Sequence, residues 1–316
     1  MSAALPIAAA ASMVALDDYA FLELEGTLVL TLLQGQLTCD VKRASADRLI
    51  EGAYCTPKGR VISNFLLWAA DSGRVLLRMH ASVVEPTATV LARYAALSRV
   101  SLTRKALVCT GLLGSKLAET AGTMLGNWPQ HRLQIVPVGE HLVLQCDDAG
   151  QRHEIWSPPE SAPRLREALA AHCPIIPPMS WRLALIRERK VDIVPAICDE
   201  FLPQMLEYDR SEAVSFRKGC YTGQEIVARA HYKGALKRRL YHLGATTTNC
   251  PAPGEVLYGS DAARAAGSVV ASASDEGRVE VLAVLSEDTE PLAARELRSA
   301  DGSVFEVLAA PCAILE

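Results

Sequence analysis

Hydrophobic and polar positions fall into short runs over the first eighty residues. Residues 20–24 and 27–33 read as one strand pair. Residues 61–70 and 75–79 read as another, joined by Asp71-Ser72-Gly73-Arg74, a sequence suited to a hairpin turn. The period then becomes helical. Pro86 suits a first turn, and Val90, Leu91, Tyr94, Leu97 and Ser98 share one face at i, i+3, i+4 spacing. Residues 133–138 and 142–145 read as a further hairpin. A second helix is predicted over 162–172, with Ser161 as cap, Pro163 in the first turn and Leu165, Ala168 and Leu169 inward. Helices and strands mix without the regular rhythm of a doubly wound sheet, which indicates an α+β class.

The last eighty residues differ. Short strand candidates at 240–243, 255–258, 267–273, 279–285 and 304–308 are punctuated by Gly, Pro, Asp and Ser. Such spacing predicts a small antiparallel barrel or sandwich. A boundary near residue 236 divides an α+β region of residues 1–235 from a C-terminal β-barrel of residues 236–316. At the other end, residues 1–16 are apolar and Ala-rich, yet the first basic residue is Lys42. A secretory signal carries positive charge before its apolar core, so this stretch reads as a loose tail leading into a strand.

Composition narrows the classes. The chain has 316 residues, 22% of them charged, with a net charge of −4. Wholesale disorder is excluded, and no global positive field draws the chain to nucleic acid or an anionic membrane. No apolar run approaches the roughly 18–20 residues of a membrane-spanning helix. The nine cysteines are scattered, none in CxxC spacing and none forming a compact zinc pattern with His. That usage points to a reducing cytoplasm, with most thiols acting as small buried hydrophobes.

The densest chemistry lies in Phe216-Arg217-Lys218-Gly219-Cys220-Tyr221-Thr222-Gly223-Gln224-Glu225. Two glycines flank a Cys-Tyr pair and permit tight turns; Gln224 and Glu225 suit the first turn of a helix. From Arg217 to Arg239 there are seven Lys/Arg residues and one acidic residue, Glu225. Neighbouring cations or a helix start stabilise a thiolate, so Cys220 is the candidate reactive thiol. The plain alternative is a structural cysteine in a turn. Likewise Lys237-Arg238-Arg239 is either a solvated face or an anion site.

Lys218-Gly219-Cys220-Tyr221-Thr222-Gly223-Gln224-Glu225 resembles the signature of the YgfZ family, folate-binding relatives of the aminomethyltransferase (T-protein) of the glycine cleavage system. Ile226-Val227-Ala228-Arg229 and Lys237-Arg238-Arg239-Leu240 fit it too. Upstream, Gln34-Gly35-Gln36-Leu37-Thr38-Cys39-Asp40-Val41, Thr56-Pro57-Lys58-Gly59-Arg60-Val61 and Phe201-Leu202-Pro203-Gln204 match three further blocks in the expected order. The resemblance implies a T-protein-like cloverleaf: split α+β lobes around a central folate cavity, with a C-terminal antiparallel β-barrel. It implies tetrahydrofolate or a derivative as ligand, and a role in maintaining iron–sulfur enzymes, including those that modify tRNA. Iron–sulfur assembly proteins or client enzymes would be the partners, with no direct nucleic acid contact and no membrane.

Carried over residue by residue, the resemblance implies Cys220 and Lys218 as the chemical pair and Tyr19, Trp181, Arg187, Tyr221 and Arg229 as ligand-binding groups, with no metal ligands. Tyr19 stands where the family usually has Trp, and keeps a ring face for stacking. Arg187-Glu188-Arg189-Lys190-Val191 departs from the family pattern, and Glu188 is not assigned as a pterin-binding carboxylate. Ser63 and Asn64 stand where the T-protein carries a carboxylate, which neither can replace as a base. Folate binding without aminomethyl transfer is therefore expected. A folate-dependent one-carbon transferase, a thiol redox enzyme working through Cys220 and a direct RNA-binding protein are the alternatives.

Overall fold

A computed structural model describes residues 10–233, 236–259, 265–287 and 296–312. Two five-stranded antiparallel sheets and a barrel make up its framework. The first sheet has the order β3 (Ile50–Cys55), β4 (Val61–Asp71), β5 (Arg74–His80), β2 (Tyr19–Glu25), β6 (Ser101–Lys105). The second runs β1 (Ser12–Ala15), β7 (Val108–Leu113), β10 (Arg152–Ser157), β9 (His141–Gln145), β8 (Ile135–Val138). Six helices accompany them among the described residues: α1 (Val29–Gln36), α2 (Val84–Leu97), the single turn α3 (Thr123–Leu125), α4 (Ala162–Ala170), α5 (Pro178–Arg187) and α6 (Gln224–Lys233).

Strand alternation decides which core each residue joins. On β2, Ala20, Leu22 and Leu24 pack with α1 and α2, while Tyr19 and Phe21 face the second sheet alongside Trp156 and Trp181. The barrel closes as β11 (Arg238–Thr246), β14 (Arg278–Ser286), β13 (Ala265–Asp275), β12 (Val256–Tyr258), β15 (Leu297–Arg298), β16 (Val304–Ala309). On β14, Val279, Val281, Ala283 and Leu285 fill the barrel. Leu282 and Val284, alternating with them, join the core of the first sheet. The barrel is thus seated on α5 through β13 and β14.

The α+β class, the two hairpins and the closed barrel agree with the expectations from sequence. Residues 27–33 do not form a strand: most of them belong to α1, because Val29, Leu32 and Leu33 recur at i, i+3, i+4 and dock as a helical face. Helix α2 is also rotated from expectation. It begins at Val84, and Val84, Thr87, Leu91 and Ala95 face inward, leaving Tyr94 half-exposed and Leu97 86% exposed. Small Thr87 and Ala95 let the helix approach the sheet closely, where Leu97 and Tyr94 would hold it off. In α4, Leu165 and Leu169 are buried but Ala168 is exposed, and Ser161 makes no side-chain cap. Residues 1–9 of the predicted tail lie outside the described residues.

One ion-pair cluster joins lobe to barrel. Arg187, at the end of α5, donates from Nε and Nη2 to Glu280 on β14 at 3.0 and 2.7 Å, and His242 Nε2 on β11 lies 2.8 Å from the same carboxylate. Burial alone would push Glu280 up; hydrogen bonds from His242 and Arg187 outweigh it and hold the carboxyl at about 2, against an ordinary 4.5. Stability from this pair is therefore complete above the ordinary value and is lost as pH falls through about 2. Glu280→Gln is expected to cost roughly 2–3 kcal/mol at neutral pH. Urea unfolding at stepped pH should show a flatter acid limb for the variant than for the parent.

Candidate functional site

A cavity of about 660 Å³ opens between the inner faces of the two sheets and the end of α5. A second chamber of about 350 Å³ adjoins it, between the start of β2, α5 and the barrel strand β13. Tyr19 belongs to both walls, and Trp181 to that of the smaller chamber. Trp181 is only 2% exposed, and its indole N–H has no hydrogen-bond partner. The guanidinium of Arg152 lies 5.1 Å from its ring centre.

Charged residues around the larger cavity are largely paired. Arg78, on β5, is buried against Glu154 of β10, to which Trp156 Nε1 also donates at 2.9 Å. Arg152 forms a two-point pair with Glu188, both contacts 2.7 Å. Lys190 and Arg132 converge on Glu51 at 2.8 and 2.7 Å. Burial would raise the Glu51 carboxyl, but Lys190 and Arg132 hold it below its usual range. Arg189 grips Glu207 through Nε and Nη2, at 2.7 and 2.9 Å. The departure from the family pattern after Arg187 thus has a physical form. The helix ends, Arg189 takes a left-handed φ of 59°, and Glu188, Arg189 and Lys190 fan out to three different partners.

The next turn delivers a carboxylate that sequence reading missed. Tyr19 Oη donates to Asp192 Oδ2 at 2.5 Å. Asn64, on β4, pins the loop from across the cavity: its Oδ1 accepts from the Ile193 N–H at 2.8 Å, and its Nδ2 donates to the Val191 carbonyl at 3.1 Å and to Asp192 Oδ1 at 3.4 Å. Asn64 therefore stands where a carboxylate was sought, and holds one contributed by a residue 128 positions away. The adjacent Ser63 is fully buried with an unpartnered hydroxyl. Asp192 carries no local motif, so only the fold could reveal it.

The remaining predicted residues lie elsewhere. Arg187, Tyr221 and Arg229 are not part of either chamber wall. Arg187 is engaged by Glu280, and exposed Arg229 pairs with Glu225 one helical turn away. Tyr221 is buried, with its hydroxyl unpartnered and the Lys218 amine 5.1 Å from its ring centre. Lys218 turns inward. Its ammonium donates to the carbonyls of Leu37 and Cys39 at 2.6 and 2.8 Å, so it braces the turn rather than facing the Cys220 thiol. Burial brings Lys218 down to about 8. The basic run disperses as well: Arg238 lies over the Phe201 ring, and Arg239 reaches Glu287 and the Cys312 carbonyl.

Cys220 itself is exposed, whereas Cys39, Cys55, Cys109, Cys146 and Cys173 are buried; all nine cysteines are unpaired. Burial pushes the Cys39 and Cys55 thiols up to about 12. The Cys220 turn is built as predicted, with Gly223 at φ +84° and α6 starting at Gln224. A side chain at Gly223 would collide with the Thr56 carbonyl and the backbone of Gly59, so the turn requires glycine there for both conformation and space. Among the described residues, no three His, Cys, Asp or Glu side chains are grouped as a metal site, and no helix is long and apolar enough to cross a membrane.

No family model matches the chain. It is 32% identical over 282 residues to the tRNA-modifying protein YgfZ of Yersinia pseudotuberculosis serotype O:1b, covering 88% of this chain and 85% of that protein. The tRNA-modifying protein YgfZ of Shigella dysenteriae serotype 1 is 31% identical over 295 residues, covering 92% and 89%. Among solved structures, the glycine cleavage system aminomethyltransferase T from Bartonella henselae superposes with a TM-score of 0.77 at 14% identity, covering 96% of this chain and 86% of that one. That likeness is one of fold.

The burial pattern predicts the order of thiol labelling. Under native conditions N-ethylmaleimide should modify Cys220 first and leave Cys39, Cys55, Cys109, Cys146 and Cys173 unmodified until the protein unfolds. Peptide mass spectrometry over a time course checks this; rapid labelling at any of the buried five would contradict the assigned packing.

Proposed function

The chain belongs to the YgfZ family, and from that premise we propose that it is a cytoplasmic folate-binding accessory protein. It supports assembly or repair of iron–sulfur enzymes, including those that modify tRNA. The observation that carries the folate reading is the pair of adjoining chambers, about 660 and 350 Å³, with Tyr19 in both walls and Trp181 in the smaller. Their size falls in the range of small-molecule sites, roughly 300–1,000 Å³. The residues suit a reduced folate. Tyr19 and Trp181 put aromatic rings in the walls, Asp192 offers an acceptor for heterocycle N–H groups, and the buried Trp181 N–H lacks an acceptor. Tetrahydrofolate or a derivative would supply one-carbon chemistry when bound; the protein's own groups bind it and keep water from its ring.

Cys220 is the proposed chemical group on the surface. Its exposure makes it available to a partner, either an iron–sulfur assembly protein or a client enzyme. One thiol does not hold a cluster alone, so any sulfur or cluster contact is shared with that partner. The link to tRNA is indirect on this reading, because Lys218, Arg229, Arg238 and Arg239 each engage a separate partner within the chain.

A second reading, folate-dependent one-carbon transfer, gains support from Asp192. The argument against it rested on Ser63 and Asn64, and Asp192 brings a carboxylate within 3.4 Å of the Asn64 amide. Formation of methylenetetrahydrofolate from an aminomethyl donor by the purified protein would favour this reading over the first.

Tetrahydrofolate is expected to quench intrinsic fluorescence through Trp181, and Trp181→Ala to weaken binding about tenfold, the equivalent of about 1.4 kcal/mol. Equal affinity in the variant would remove Trp181 from the site. Cys220→Ser should keep the parent's melting temperature within about 2 °C, as expected for an exposed position. It should lower iron–sulfur enzyme activity in cells lacking the parent protein. Full complementation would reduce Cys220 to a structural thiol.

A further inference from the structure

The segment that carries Cys220 runs back along α6. Phe216 stacks on His231, near the end of the helix, with ring centres 3.8 Å apart and planes at 12°. Further along the chain, Gly223 leads into the start of the same helix, so residues 216–222 lie beside it over its length. Tyr232 stands edge-on to both rings, 6.1 Å from Phe216 and 4.8 Å from His231, and is 68% exposed. Along α6, Glu225, Arg229 and Tyr232 recur at i, i+4, i+7 and all are exposed. Arg217, Gly219 and Cys220 are exposed on the flanking segment. The outer side of helix and segment together therefore displays a tyrosine, two arginines and a thiol.

We propose that this surface is a docking site for the acidic face of a partner protein, one that brings its own sulfur or cluster to Cys220. The proposal rests on Cys220 as the contact thiol and adds the chemistry of what meets it. Charge sets the sign. Residues 216–233 carry Arg217, Lys218, Arg229 and Lys233 against Glu225 alone, in a chain of net charge −4. Glu225 does little to cancel this for a partner. Its 2.9 Å pair with Arg229 joins side chains that are 82% and 64% exposed, and such a pair is weak enough for a partner's carboxylate to displace. Composition sets the class of macromolecule. Tyrosine and arginine are typical anchors of protein interfaces. A single RNA strand instead stacks its bases on a succession of open ring faces. Here Phe216 and His231 cover each other, which leaves Tyr232 as the exposed ring of the three. Contact with both neighbours also restrains Tyr232, so it loses little freedom on docking.

The local field is read at Cys220 with two methanethiosulfonates of opposite charge, one bearing a sulfonatoethyl and one a trimethylammonioethyl group. In each case the Cys220 thiolate forms a disulfide with the probe sulfur and methanesulfinate leaves. Peptide mass spectrometry gives the rate at Cys220, divided by the rate of the same reagent with free β-mercaptoethanol. At low salt the anionic probe is expected to be favoured about tenfold, and the gap to close in about 0.5 M salt. Arg217→Glu combined with Arg229→Glu should reverse the preference. Equal normalised rates in the parent, or a preference unmoved by the double variant, would overturn the proposal.

Docking itself is read in cells lacking the parent protein. The double arginine variant and, separately, Tyr232→Ala are expected to lower iron–sulfur enzyme activity by about threefold or more. Both should keep the parent's melting temperature, since the positions are exposed. Full activity of both, beside a failing Cys220→Ser, would overturn the docking surface and leave the thiol reading intact. Full activity of Cys220→Ser would instead sink the thiol reading, and the surface variants would decide docking by themselves. A single-stranded RNA oligonucleotide that binds the parent and loses affinity on Tyr232→Ala would assign the surface to nucleic acid and overturn it as a protein site.

Discussion

A large cavity ringed by charged side chains, at the junction of two sheets and a helix, persists because those charges are matched. Arg78 with Glu154, Arg152 with Glu188, Lys190 and Arg132 with Glu51, and Arg189 with Glu207 form a paired lining on several different elements. Removing one member of such a pair typically costs about 3–5 kcal/mol, since the other is left charged in a poor solvent. Replacing both by apolar groups of similar volume need not destabilise, but it would invite the cavity to collapse. The pairs therefore account for why the space stays open, and they fix the positions of the helix end and the loop that carries Asp192.

The four motif blocks do a different job. They lie beside one another and hold the Cys220 turn. Thr38 donates to the Ala213 carbonyl at 2.6 Å and accepts from the Ala53 N–H at 3.0 Å. Gln34 closes its own turn onto Asp40 and Val41, while Gln36 accepts from Thr222 at 3.1 Å. Val61 pairs with the Phe201 carbonyl, and Gln204 donates to Val227 on α6. With Lys218 tied to the carbonyls of residues 37 and 39, the blocks form a mould in which Gly223 has no room for a side chain. Most of the motif is scaffold, and its product is an exposed thiol at a fixed place.

This division explains what the sequence made legible. The barrel strands and the two hairpins were readable because period-two patterns and turn residues are local, and the start of α6 because Gly223 precedes it. The Cys220 turn was readable because its residues are contiguous. Residues 27–33 were misread because a short apolar run fits a strand and a helix equally until a docking face is known. Helix α2 was placed correctly but rotated, since Thr87 and Ala95 face inward for closeness of approach rather than for hydrophobicity. The cavity was least legible. Asp192, Arg78, Arg152 and Glu51 are ordinary charged residues in isolation, and what distinguishes them is a partner tens to well over a hundred positions away.

The cavity and the thiol turn are separate sites divided by little more than one strand. Gly52 on β3 belongs to the larger cavity's wall, and its other neighbours include Cys39 Sγ, so close that a β-carbon at position 52 would overlap it. The Cys39 carbonyl in turn accepts the Lys218 ammonium, two residues before Cys220. Packing this tight transmits displacement poorly by compression and well by rigid shift, because close-packed interiors have few voids to absorb it. Burial keeps the Cys39 thiol neutral, so this contact is one of shape rather than charge. The absence of a side chain at Gly52 is what allows the strand to lie close enough for the two sites to share that wall.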